Sequence, residues 1–158
     1  MKLMYISVVL CIISWVKELR GEEMSKELFV KATTNELVRV QSSWKIGYEC
    51  VCDFDKATNL VAKVLLISKG MSTNDIVAIC GEPDRKSQWC GKSINSPLKI
   101  EYVYSFRRRK KRMANVYDQY LGLYFNESGV LDSVVFPCGT ASYEVDFKSD
   151  ALAPISAM

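Results

Sequence analysis

Cysteines and a run of basic residues are the features of this sequence that could do chemistry. The chain of 158 residues has six cysteines and no histidine. It therefore lacks the usual general base of serine and cysteine hydrolases and the commonest metal ligand. Cys50 and Cys52 do not have the Cys-x-x-Cys spacing of a zinc half-site, and no second ligand pair follows them. The lack of histidine weakens an enzymatic role but leaves it open, because lysine, tyrosine and carboxylates can still do chemistry. We expect no metal and no cofactor, and cysteines at these two positions that are free or disulfide-bonded.

Six consecutive basic residues are the strongest charge feature of the chain. They are Arg107, Arg108, Arg109, Lys110, Lys111 and Arg112. The run can be a solvated hairpin loop whose charges discourage edge pairing. It can also bind anionic lipid headgroups or an acidic protein surface, where each basic residue near an anionic membrane contributes on the order of 1 kcal/mol. Nucleic acid is a third hypothesis, because Tyr102, Tyr104 and Phe106 could stack on bases. A net charge of +3 does not by itself indicate a polyanionic partner.

A predicted sheet positions the basic run. From Leu98 to Phe106 apolar and polar residues alternate, which predicts a strand whose aromatic residues lie on the core face. A second strand runs from about Gln119 to Phe125, and a turn at Asn126–Gly129 follows it. Val130–Phe136 then returns as a third strand. The pattern predicts a three-stranded antiparallel meander.

Two predicted helices precede this sheet and could cover its apolar face. The first begins near Asp55, with Leu60, Val61, Val64 and Leu65 on its apolar side. The second lies within Gly70–Pro83, where Ser72 is a good N-cap, Asp75 has the capping-box position and Gly81 can end the helix. Cys80 lies on the inner side of this helix, which predicts a buried thiol. The predicted fold is α+β, with two short helices packed on a three-stranded antiparallel meander.

The other segments give weaker signals. Glu22–Ala32 is typical of a helix, Thr33–Asn35 of a break, and Leu37–Val40 of a short β-prone segment. Tyr48–Phe54 alternates enough to be a strand. Asp84–Ser96 is polar and is predicted to be a loop.

The N-terminus carries an apolar run from Leu3 to Val16, which is shorter than the ~20 residues of a spanning helix. A cleaved signal peptide, an uncleaved anchor and a buried helix all fit this run, although no Ala-x-Ala cleavage site follows it. A lipid on Cys11 is disfavoured because Leu10 precedes it where a small residue is expected. Six cysteines also favour an oxidising compartment. We expect export to the periplasm or a periplasm-facing surface.

These observations predict four parts of the chain. Residues 1–21 form the signal or anchor, residues 22–55 an N-terminal extension, residues 56–140 the α+β domain and residues 141–158 an irregular tail.

Three motifs occur in a fixed order along the chain: Lys69-Gly70-Met71-Ser72 with Cys80-Gly81 and Pro83, the aromatic strand Tyr102–Phe106, and the strand–turn–strand segment Leu121–Leu131. In this order they resemble the BamE/SmpA/OmlA family of small bacterial envelope proteins. The resemblance covers roughly residues 57–136. It implies a non-enzymatic protein that binds protein partners and anionic phospholipid and acts in outer-membrane assembly or envelope integrity.

The osmotically inducible lipoprotein branch of that family carries one cysteine before the first strand of the meander and one after the last. The resemblance therefore implies a disulfide between Cys90 and Cys138. Two other functions remain open. The helix-and-sheet unit also resembles one repeat of the β-lactamase-inhibitor proteins, which present a sheet face to an enzyme, and the basic run leaves a nucleic-acid binder as an alternative.

Overall fold

A computed structural model describes residues 22–43, 46–90, 97–110, 118–138 and 141–148. Within these ranges the chain forms three α-helices, two short 3-10 turns and seven strands. The helices are α1 (Lys26–Arg39), α2 (Phe54–Ala62) and α3 (Thr73–Cys80), and the 3-10 turns are Gln41–Ser43 and Lys63–Leu66. The strands are β1 (Glu22–Met24), β2 (Tyr48–Cys50), β3 (Arg85–Cys90), β4 (Leu98–Arg109), β5 (Gln119–Phe125), β6 (Leu131–Cys138) and β7 (Ala141–Val145).

All seven strands form one sheet in the order β1-β7-β6-β5-β4-β2, and β3 also pairs with β4. Strand β4 is long enough to pair with two strands along the same edge. Strand β3 pairs with the first half of β4, and β2 pairs with its last three residues. Strands β4, β5 and β6 pair antiparallel as predicted. The α+β class is confirmed, but the sheet is larger than the predicted meander.

The edge of β4 between β3 and β2 is closed by loop groups. The amide of Ser105 donates to Asp84 Oδ2 at 2.6 Å, and the amide of Asp84 donates to Val103 O at 2.9 Å. The amides of Val51 and Cys52 both donate to the carbonyl of the intervening Phe106. These bonds satisfy the backbone of β4 where it changes partner.

The three helices lie on one face of the sheet and form the core with it. The buried cluster combines Phe29 and Leu37 of α1, Val61 of α2 and Ile76 of α3 with the core-facing side chains of the sheet, among them Tyr102, Tyr104, Phe106, Leu121, Leu123, Phe125, Val134 and Phe136. Along each strand these residues alternate with outward-facing ones, as a half-buried antiparallel sheet requires.

Helix α1 is longer than predicted. The predicted break at Thr33–Asn35 and the β-prone segment after it are wrong, because α1 continues without interruption to Arg39. Phe29, Thr33 and Leu37 are buried and spaced four residues apart, so they lie on one face of the helix. Burial of that face outweighs the modest helix propensity of threonine and asparagine.

Two segments predicted to lie outside the domain contribute to the same sheet and core. Strand β1 pairs in parallel with β7, so the N-terminal extension and the predicted tail meet at one side of the sheet. Val145 and Phe147 from the predicted tail are buried in the core. The predicted loop Asp84–Ser96 contains β3. The predicted strand over residues 48–54 is confined to β2, and α2 begins at Phe54.

The prediction for α3 is confirmed in detail. The hydroxyl of Ser72 accepts from the amide of Asp75 at 3.2 Å, and Asp75 Oδ2 accepts from the amide of Ser72 at 2.8 Å, which makes a complete capping box. Gly81 ends the helix with φ = 85°. The first predicted helix ends earlier than expected, and Leu65 in the following 3-10 turn is 45% exposed rather than on a buried face.

In the described part of the chain, no helix is long and apolar enough to cross a membrane.

Candidate binding surfaces

The six-residue basic run is not a hairpin loop throughout, because β4 continues to Arg109. Arg107 is 1% exposed, whereas Arg108 and Lys110 are exposed. Lys111, Arg112 and the side chain of Arg109 lie outside the described residues. The expectation that all six side chains reach a partner is therefore wrong for Arg107.

A β-bulge accounts for the burial of Arg107. Tyr120 pairs with Ser105 and Gln119 pairs with Arg107, so one extra residue interrupts the alternation and Arg107 turns towards the core face. Arg107 Nε donates to Gln119 Oε1 at 2.8 Å, and its Cζ lies 3.8 Å from the centroid of the Tyr48 ring. Burial lowers the pKa of Arg107, while the nearby Tyr48 and Glu36 act in the opposite direction. These contacts give Arg107 a structural role.

A rigid basic end remains at the C-terminal side of β4. Arg108 is opposite Glu49 of β2, and the amide of Lys110 donates to Gly47 O at 3.0 Å. Ile46 is next to Gly47 and is 70% exposed. We call Arg108, Lys110 and Ile46 the basic end. It combines two cationic side chains with an apolar one at the end of the β2–β4 pair, with the exposed carboxylate of Glu49 opposite Arg108.

A groove of about 350 Å³ lies between the basic end and β3. Arg85 and Arg108 line it together with Asp84, Asp118 and Tyr120. Because both signs of charge are present, the groove itself is not a simple anion site.

The aromatic residues before the basic run are unavailable to nucleic acid. Tyr102, Tyr104 and Phe106 are 9%, 4% and 0% exposed. The rings of Tyr102 and Phe125 lie 4.9 Å apart, and Tyr104 Oη donates to Gly81 O at 2.9 Å. This confirms the prediction that these residues form the core face of their strand.

A cleft of about 180 Å³ between α2, the end of α3 and β4 contains two thiols. Cys52 and Cys80 line it, with Lys56 and Lys63 from α2 and the turn that follows. Both cysteines are free and partly buried, so the prediction of a buried thiol at Cys80 holds only in part. Burial raises the pKa of each thiol to about 11. Neutral thiols are poor nucleophiles and poor metal ligands.

The strand register separates the two cysteines that the resemblance paired. Cys90 is opposite Leu98 at the start of β4. Cys138 ends β6, and the antiparallel register places it level with Gln119, the partner of Arg107. Leu98 and Arg107 are about 30 Å apart at about 3.3 Å per residue, whereas the Cα atoms of a disulfide lie within about 7 Å. The backbone register argues against this disulfide; the two side chains lie outside the described part.

The sheet face opposite the helices, which we call the outer face, is the exposed sheet face that the predicted fold offers as a candidate contact surface beside the basic run, although the sequence did not identify its residues. Glu101 lies on it and accepts from Ser87 Oγ at 2.7 Å and from Tyr124 Oη at 3.0 Å, while Arg85 Nη2 lies 3.6 Å from its carboxylate. The rings of Tyr120 and Tyr124 lean over the intervening glycine, where an added Cβ would meet both rings at 3.2 Å. Burial raises the pKa of Tyr124, and Tyr120 and Glu101 add to this effect.

The described side chains include no group of three or more histidine, cysteine or acidic residues that could hold a metal ion. Comparisons with protein-family models, with curated proteins and with solved structures find no match for this chain.

Proposed function

We propose that this chain is a non-enzymatic binding or scaffolding protein of the bacterial envelope, acting in outer-membrane assembly or envelope integrity. The envelope location rests on the apolar run Leu3–Val16 and on the family resemblance. The observation that supports the binding role is the basic end, where the exposed Arg108 and Lys110 occur together with Ile46, which is 70% exposed. We expect the basic end to bind the anionic headgroup layer of a membrane and an envelope protein partner to bind next to it.

The basic end suits a charged interface because its geometry is fixed before binding. Pairing of β2 with β4 holds the backbone, so ordering this surface costs little entropy on association. Each cation contributes on the order of 1 kcal/mol near an anionic membrane, and an exposed isoleucine adds apolar area that can enter the headgroup region. With Arg107 buried, this contribution is smaller than the six-residue run suggested.

Sedimentation with vesicles tests the membrane contact. The full chain should pellet with phosphatidylcholine vesicles that contain about 30% phosphatidylglycerol, and the bound fraction should fall as salt rises. Joint replacement of Arg108→Gln and Lys110→Gln should abolish most of this binding. The matched control is Lys31→Gln with Lys56→Gln, which removes the same charge from exposed positions on α1 and α2. Equal loss in both double variants would show that net charge, not the basic end, drives binding.

A pull-down from detergent-solubilised envelope tests the protein partner. The wild-type chain should retain a partner that the double variant at Arg108 and Lys110 loses and the control variant keeps. Recovery of the mature protein from the cytosol with Met1 retained would refute the envelope location.

A further inference from the structure

One row of residues runs across the whole outer face, and its charge changes sign from one end to the other. The pairing of neighbouring strands defines the row as Arg85, Val103, Gly122, Val135, Glu144 and Glu23, contributed by β3, β4, β5, β6, β7 and β1. The cation is therefore at one edge and two carboxylates are at the other.

Each end of the row is charged and accessible. The side chain of Arg85 is 61% exposed although it lies 3.6 Å from Glu101. Glu23 is exposed beside the half-buried Glu144. Burial and the neighbouring carboxylates of Glu23 and Asp132 raise the pKa of Glu144, while Lys99 and a hydrogen bond with Ser133 act in the opposite direction. The net shift is upward, so a further cation at this edge is favourable.

The row is self-complementary under a two-fold rotation about an axis along β5. Such a rotation, with a second outer face packed about 10 Å above the first, puts β3 of one copy over β7 of the other. Arg85 then faces Glu144 of the second copy on both sides of the axis. Val103, which is only 3% exposed, and the buried Gly122 lie beneath this contact, in line with Val135 and Gly122 of the second copy.

The centre of the row also suits contact between two copies. Tyr120 and Tyr124 lie on β5 and are half-buried, with both rings leaning over Gly122. Because the proposed axis runs along β5, each of these tyrosines faces the same tyrosine of the second copy. Tyrosines are enriched at the centres of interfaces. A two-fold interface requires this kind of self-matching surface.

We propose that the outer face is a homodimer interface in which two copies pack face to face about a two-fold axis along β5. The occupant of this face is a second copy of the chain, and the paired contacts are Arg85 with Glu144 of the second copy and the reverse. The proposal is independent of the envelope role.

The size of the surface predicts a weak dimer. Five strands about 4.8 Å apart and three side-chain rows about 6.7 Å apart cover on the order of 500 Å² per copy. The total of about 1,000 Å² is at the lower limit for a specific interface. We expect a dissociation constant on the order of micromolar, with exchange between monomer and dimer.

Charge reversal tests the pairing directly. Sedimentation velocity of the full chain from about 1 to about 200 µM should show a concentration-dependent dimer. Arg85→Glu and Glu144→Arg should each weaken self-association by more than about tenfold, because each places two like-charge contacts in the interface. An equimolar mixture of the two variants should dimerise with close to wild-type affinity, since both contacts in the mixed dimer are again attractive.

The mixture also separates interface effects from folding defects, because two misfolded variants would not restore association. Lys86→Glu is the matched control: it makes the same charge change on the same strand but on the opposite sheet face. A monomer across the whole concentration range would overturn the proposal. So would a dimer that responds equally to Arg85→Glu and Lys86→Glu, or variants that fail to associate when mixed.

Discussion

Replacing Arg107 by alanine should destabilise the protein far more than the same change at the adjacent Arg108. The Arg107 side chain donates a charge-assisted hydrogen bond to Gln119 and packs against the Tyr48 ring in a buried position. Loss of the hydrogen bond costs about 1.5–3 kcal/mol, and loss of a desolvated cation–π contact about 2 kcal/mol. We therefore expect Arg107→Ala to lower the free energy of unfolding by about 4 kcal/mol. Arg108→Ala should change it by less than about 0.5 kcal/mol.

Urea unfolding of the full chain, followed by circular dichroism, measures both values. With a urea dependence of about 2 kcal/mol per molar, the midpoint of Arg107→Ala should fall by roughly 2 M. Arg107→Lys should be intermediate, since lysine keeps the charge but loses the planar guanidinium that bonds Gln119 and stacks on Tyr48. If the two alanine variants unfold within about 0.5 kcal/mol of each other, the assignment of Arg107 to the core is wrong.

Four further predictions concern the α3 cap, the cleft and the C-terminal strand. Ser72→Ala removes the α3 cap and should cost about 1 kcal/mol in urea unfolding. Hydrogen bonds with Ser72 lower the pKa of Asp75 in the folded protein. The Asp75 carboxylate therefore stabilises the fold above its ordinary pKa, and this stabilisation is lost as pH falls through the lowered pKa. Asp75→Asn should flatten this part of the curve of unfolding free energy against pH. Iodoacetamide at about pH 8 should alkylate Cys52 and Cys80 more than about tenfold slower than an ordinary thiol, measured by peptide mass mapping, and equal rates would contradict the raised pKa values. Deletion of residues 141–158 should abolish a cooperative thermal transition in circular dichroism, because β7 joins β1 to β6; a deletion protein that melts like wild type would mean that this segment is a dispensable tail.

The parts of the fold that were predicted correctly depend on local sequence signals, namely helix-capping residues and the alternation of apolar and polar residues. Ser72, Asp75 and Gly81 determine where α3 begins and ends, and their effect depends on residues only a few positions away. Strands β4 and β5 alternate clearly and pair as expected. In each case the interactions that decide the structure are short-range or follow a simple period.

Tertiary contacts decided the parts that were predicted wrongly. The Thr33–Asn35 break disappears because Thr33 lies on the face of α1 that the sheet buries. Strand β3 has no apolar alternation because it is an edge strand with polar residues at Arg85, Ser87 and Gln88. Strand β7 is stabilised by β6 on one side and β1 on the other, and β1 is about 120 residues away in the sequence. The strand propensity of individual residues gives no information about a pairing strand so far away in the sequence.

The same limit applies to charge. Arg107 and Arg108 are adjacent in a uniform basic run, yet a single bulge places one in the core and leaves the other in solvent. Counting charges along the sequence therefore overestimates the cationic surface at the end of β4. It also misses the row from Arg85 to Glu144, because those residues come from different strands and meet only through the register of the sheet. Binding surfaces on this fold are set by strand pairing, so charge changes at Arg85 and Arg108 probe them better than changes in net charge.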